Sequence, residues 1–181
     1  MPSFLSIEKQ PKLKRISCSE YEEPQFKLGE IANIAAIDAS PKDIQNWTAR
    51  GFLTPSQGAP RKTKLYSLKN VVEASVIGHL SQVNPFSVSS ELAWAFANRA
   101  GCLLSEGYDF FHAWEANSFM LYYYTVQADG YERGVYISRE DLAKVILGEK
   151  AIPGVVGSEK RFFECDDLIF RVLCNYVEMK K

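Results

Sequence analysis

An α+β fold is what the sequence predicts, and three observations predict it. Between residues 26 and 82, apolar residues recur at helical spacing in three short segments, interrupted by a basic, turn-rich loop. Residues 119–126 and 134–137 read instead as strands, with Ala128, Asp129 and Gly130 supplying the turn chemistry of a β-hairpin. From residue 162 to about 179, Phe163, Leu168, Val172 and Tyr176 return to helical register. The expected organisation has three parts: a flexible arm over residues 1–25, a helical unit with a hairpin-like wing over 26–82, and a C-terminal α+β part over 83–181 for oligomerisation or sensing.

The arm mixes Lys9, Lys12, Lys14 and Arg15 with Glu20, Glu22 and Glu23, and reads as mostly disordered. In the first helix, Leu28, Ile31, Ala32 and Ala35 share a face, and Asp38 and Ala39 make a short turn. Ser40 is a good N-cap, and Pro41 follows at the first helical position, where its missing N–H costs nothing. This second helix buries Ile44 and Trp47, runs to about Arg50 and stops at Gly51. Residues 52–55 are extended, 56–60 form a turn-rich tip, and 62–66 return as a strand to complete the wing. Ser67 caps a third helix whose Val71, Val72, Ser75, Val76 and Leu80 face inward. Asn84-Pro85 interrupts the pattern after about Val83.

A helix over residues 87–104 carries Leu92, Phe96, Ala100 and Leu103 in register. Ser138 and Asp141 stand at capping-box spacing before a helix of about ten residues. Residues 152–157 read as loop.

At 181 residues the chain is long enough for a real core, and 46% hydrophobic with 24% charged residues describes an ordinary soluble protein. The net charge of -1 hides an asymmetry. Residues 26–81 hold seven Lys/Arg against four Asp/Glu, whereas residues 82–181 hold ten against fourteen. A polyanion partner is therefore expected for the first half only. Cys18, Cys102, Cys165 and Cys174 form no CxxC pair, so reduced thiols and a cytoplasmic location are expected. The longest apolar run, residues 119–126, is too short to span a bilayer, and the N-terminus lacks the apolar core of a signal peptide.

The chemistry sits on the second helix. With Ile44 and Trp47 turned inward, Lys42, Gln45, Asn46 and Ala49 share the outer face. Gln and Asn can pair bidentately with adenine, and Lys42 lies near the helix N-terminus, where phosphate is favoured. Arg50 stands at the far end, near the DNA backbone. The loop adds Arg61, Lys62 and Lys64, joined by Tyr66, whose hydroxyl can donate to phosphate. Polar outer faces are the norm for surface helices, and a basic loop is usually just solvated. The two together at this separation favour double-stranded DNA as the partner.

The segments Leu28-Gly-Glu-Ile-Ala, Ile44-Gln-Asn-Trp47, Gly51-Phe-Leu-Thr-Pro55 and Lys64-Leu-Tyr-Ser67 resemble the MerR-type winged helix-turn-helix, over about 55 of the 181 residues. The resemblance implies a bacterial or phage regulator of transcription. Such a regulator binds DNA as a homodimer, with Ser40, Lys42, Gln45, Asn46 and Arg50 on or at the end of a recognition helix. Arg61, Lys62, Lys64 and Tyr66 would lie in the wing. The family usually carries Arg where Gln45 and Lys64 stand, which implies weaker binding or a different sequence read, since Lys lacks the guanidinium fork. Its long dimerising coiled-coil helix has no counterpart after Asn84-Pro85, so dimerisation falls to the C-terminal half.

Other sites are poorly supported. Cys165 and Cys174, nine apart, lie on opposite sides of one helix and cannot share a metal ion within it. His79 and His112 have no ligand at helical spacing. The aromatic group Tyr108, Phe110, Phe111, Trp114, Phe119 and residues 122–124 reads as core more readily than as a pocket for a small-molecule or protein effector. No nucleophile elbow or phosphate-binding loop occurs, so neither an enzyme nor a cofactor is expected. Two rivals to a regulator stand: an accessory DNA protein of excisionase or packaging type, and a protein-interaction module that has lost DNA binding.

Overall fold

The segment after Ser67 carries apolar residues on every side, and such a helix is stable only when other elements surround it. The computed structural model describes residues 16–35, 39–56, 63–82, 89–107, 120–126, 132–151, 159–163 and 166–181. Its helices are α1 (Cys18–Glu22), α2 (Leu28–Ile34), α3 (Pro41–Ala49), α4 (Leu68–Gln82), α5 (Ser90–Ser105), α6 (Arg139–Ile146) and α7 (Asp166–Met179). Helix α4 is the central one. Leu68, Val71, Val72, Ala74, Val76, Ile77 and Leu80 are all fully buried along it. Helix α5 packs along its length, and α1 and α7 cover further sides.

The buried polar residues of α4 are satisfied locally. Asn70 N donates to Ser67 Oγ (3.3 Å), and Ser67 N donates back to Asn70 Oδ1 (3.2 Å), closing the helix start as Ser67 predicted. Ser75 Oγ donates to Val71 O at 2.8 Å. The side chains expected to face inward do so, but Leu68, Ala74 and Ile77 join them.

The expected class, α+β with a β-hairpin, is corrected. Among the described residues most lie in the seven helices, and the fold is mostly helical. The reason lies in what builds the core. The apolar cluster draws on α1 to α5, on α7 and on the short pieces between the N-terminal helices. Three backbone segments, β1 (Met120–Val126), β2 (Glu132–Ser138) and β3 (Glu159–Phe163), pair antiparallel in the order β2-β1-β3. Reading the class from those apolar runs gave too much weight to segments that do not set the architecture.

A second correction concerns residues 16–25, expected to belong to a disordered arm. They form α1 and an extended approach to α2, with Tyr21 buried and Ile16 nearly so. Phe26 and Tyr66 exchange two backbone hydrogen bonds of 2.9 Å, and Ser56 N donates to Leu65 O at 2.8 Å. The wing base is thus a pair of isolated bridges, with its tip, residues 57–62, outside the described residues. The expected turn at 128–130, the loop at 152–157 and the Asn84-Pro85 break also fall outside them.

Helix α7 returns to the N-terminal helices. Leu168, Ile169, Val172, Leu173 and Tyr176 enter the same cluster as Ile31, Ile34 and α4. Asn175 Nδ2 donates to Ile34 O at 3.2 Å, and Tyr176 OH donates to Glu20 Oε1 at 2.6 Å. The Tyr176 ring meets Phe26 edge-on, with centroids 6.0 Å apart.

Candidate nucleic-acid interface

Local chemistry fixes where α3 begins and ends. Ser40 N and Ser40 Oγ both donate to Asp43 Oδ2, at 2.9 and 2.6 Å, and Asp43 N donates to Ser40 Oγ at 3.3 Å. This reciprocal box satisfies donors that a bare helix start would leave unpaired. Gly51, with φ 77°, takes the left-handed turn that ends the helix. Ile44 is fully buried and Trp47 nearly so, which fixes the rotation of the helix. Lys42, Gln45, Asn46 and Ala49 are exposed together on the opposite side, as their spacing predicted.

The wing approaches this face from one side. Gln45, Thr48 and Ala49 of α3 line a cleft of about 400 Å³ with Leu28, Thr63, Lys64 and Tyr66. Gln45 and Lys64, read as recognition-helix and wing residues, therefore share one surface. Thr48, Thr63 and Leu28 were not among the expected residues. Thr48 had a faint signal, since a mid-helix Thr commonly bonds back to the carbonyl four residues earlier. It does so here, donating to Ile44 O at 2.8 Å.

That bond settles what Tyr66 does. Thr48 Oγ1 and Tyr66 OH are 3.0 Å apart, and the Thr48 proton is already given to Ile44 O. Tyr66 must then be the donor, and its single proton is used. Its side chain is also 3% exposed. The expected phosphate contact by Tyr66 is therefore corrected: the residue braces the wing base against α3.

Two further expectations change. Arg50 Nη2 lies 2.5 Å from Glu91 Oε1 of α5, and its guanidinium sits 4.4 Å over the Phe52 ring. That arrangement turns Arg50 toward α5 and away from the Gln45–Lys64 surface. Ser40 has committed its hydroxyl to the cap, and the same hydrogen bonds hold the Asp43 carboxyl below its ordinary pKa. An ionised Asp43 at the first turn disfavours the phosphate expected there beside Lys42. Arg61 and Lys62 lie outside the described residues.

The remaining candidates keep to structural roles or fall outside the description. His79 is half-buried, and desolvation, helped by Arg171, lowers its pKa. Cys174 is partly buried, with its thiol pKa raised chiefly by desolvation. Cys165, His112 and most of the aromatic group at 108–119 are outside the described residues. Among the described residues no group of three His, Cys, Asp or Glu is placed to hold a metal ion. No helix among them is long and apolar enough to cross a membrane. No protein-family model and no curated protein matches the chain.

Proposed function

We propose that the chain is a sequence-specific DNA-binding regulator of transcription that works as a homodimer. It would read bases with the outer face of α3 and grip the phosphate backbone from the wing. One observation carries the reading: Gln45 and Lys64 line one exposed surface, on a helix whose opposite side is locked into the core by Ile44 and Trp47. Lys42 and Asn46 extend the surface along α3. Amide side chains on a rigid helix suit base edges, and a flanking lysine suits a phosphate.

The test is recovery and sequencing of fragmented source-genome DNA bound by the protein, alongside Lys64→Ala and Asn46→Ala. Sharp peaks with a dyad motif are expected. Lys64→Ala weakens all sequences alike and reduces the slope of log affinity against log salt by about 1. Asn46→Ala relaxes one or two base positions and leaves the slope unchanged. A specific observation favours the second reading, a protein-interaction module. Of two expected grips on the backbone, Arg50 pairs with Glu91 at the surface and Tyr66 is held by Thr48. Featureless, salt-insensitive recovery, equal in all three proteins, would put that reading first.

A further inference from the structure

A second cleft, of about 390 Å³, lies on a different side of the same unit. It opens between the turn after α3, the first half of α4 and the start of α5. Its most unusual component is Glu73, a carboxyl on the central helix that is only 5% exposed. Glu73 Oε2 accepts from Asn70 Nδ2 at 3.0 Å. Glu73 Oε1 meets no hydrogen-bond donor among the described residues, and it lies so near Gly101 that a Cβ there would stand 2.6 Å away. Asn70 cannot swing to cover it, because its Oδ1 is held by Ser67 N at 3.2 Å.

Withdrawing most of a carboxyl from water with only one oxygen served by the protein is costly, and Glu73 Oε1 is not among the wholly buried atoms left without a partner. The aromatic wall of the cleft supplies a reason to keep this carboxyl. Phe52 and Trp94 stack with centroids 5.8 Å apart and planes at 21°, yet Trp94 remains 37% exposed. The pair already supports one planar cation, since the Arg50 guanidinium rests over Phe52. The lining holds two carboxyls, Glu22 and Glu73, against one ammonium, and Lys69 leans toward Glu22 at 3.5 Å.

We propose that this cleft binds a small organic cation with a flat amidinium or guanidinium head, the head donating to Glu73 Oε1 and the apolar body lying against Trp94. A planar head brings paired N–H donors on one edge, the geometry a carboxylate accepts best. Desolvation supports the reading, because it pushes the Glu73 pKa up to about 7, and a bound cation restores the ionised form. The other charged groups facing Glu73 are Lys69 on its own helix and Glu22 on α1.

The experiment is calorimetric titration of benzamidine into the full chain at about pH 8, where Glu73 is mostly ionised. DNA is left out, so the result is independent of the DNA-binding proposal. Saturable one-to-one binding is expected, at least tenfold tighter than for neutral benzamide, and weaker at about pH 5.5. Glu73→Gln, which preserves shape, lowers the affinity at least tenfold. If Glu73→Gln does not fold, Trp94→Leu at the exposed wall is expected to lower it severalfold. Absence of saturation by about 10 mM benzamidine, equal binding of benzamide, or unchanged affinity in the folded variant overturns the proposal.

Discussion

At the scale of single residues, the fate of one proton separates a structural tyrosine from a DNA-binding one. Tyr66 gives its hydroxyl proton to Thr48, whose own proton goes to Ile44 O. Tyr66→Phe is therefore expected to cost about 1 kcal/mol of stability and to leave DNA affinity unchanged. Weaker DNA binding at an unchanged melting temperature would return Tyr66 to the interface. Glu73 has a signature of its own. Its pKa rises from an ordinary 4.5 to about 7, mainly because burial disfavours the charge. The folded state thus holds the proton more tightly than the unfolded chain. The resulting stability is complete below about pH 4.5 and is lost as the pH rises through about 7. The amount lost is roughly 3 kcal/mol at most. Glu73→Gln removes the titration, so its melting temperature should gain on the wild type by several degrees between about pH 5 and 8. Parallel pH profiles for the two proteins would contradict the burial argument.

Elements were legible from the sequence where their signals are local. Ser40, Pro41 and Gly51 bracket α3 within a residue or two, and Ile44 and Trp47 set its buried side. Removing the cap should show as a cost: Ser40→Ala is expected to lose about 1 kcal/mol, read from the midpoint of urea unfolding. An unchanged midpoint would mean that Asp43 finds another partner. What failed to show in the sequence depends on distant residues. Arg50 reads as the basic end of a recognition helix until Glu91, 41 residues later, turns it aside. Tyr66 reads as a phosphate donor until Thr48, 18 residues earlier, takes its proton. Helical spacing also underestimates a helix buried all round, because amphipathic analysis looks for one wet side and α4 has almost none.

For the whole molecule, composition and apolar runs pointed to the wrong class, since they do not say which elements share a core. One cluster runs from Ile16 through α4 to Tyr176. A fragment limited to residues 26–82 would leave the α5 and α7 sides of α4 bare. It is expected to lack a cooperative thermal transition, whereas the full chain should have one. A well-dispersed NMR spectrum from the fragment would instead mean that this unit holds together without α7.

The docking of α7 also sets an order of events in synthesis. Its contacts with Glu20 and Ile34 close loops of 156 and 141 residues. Long closures of this kind slow folding and come late. A ribosome would have released α3, which carries Lys42, Gln45 and Asn46, long before residues 166–179 arrive to cover α4. Until then α4 keeps an apolar flank open to chaperones. A chain halted short of α7 would be a substrate for proteolysis rather than a stable truncated protein.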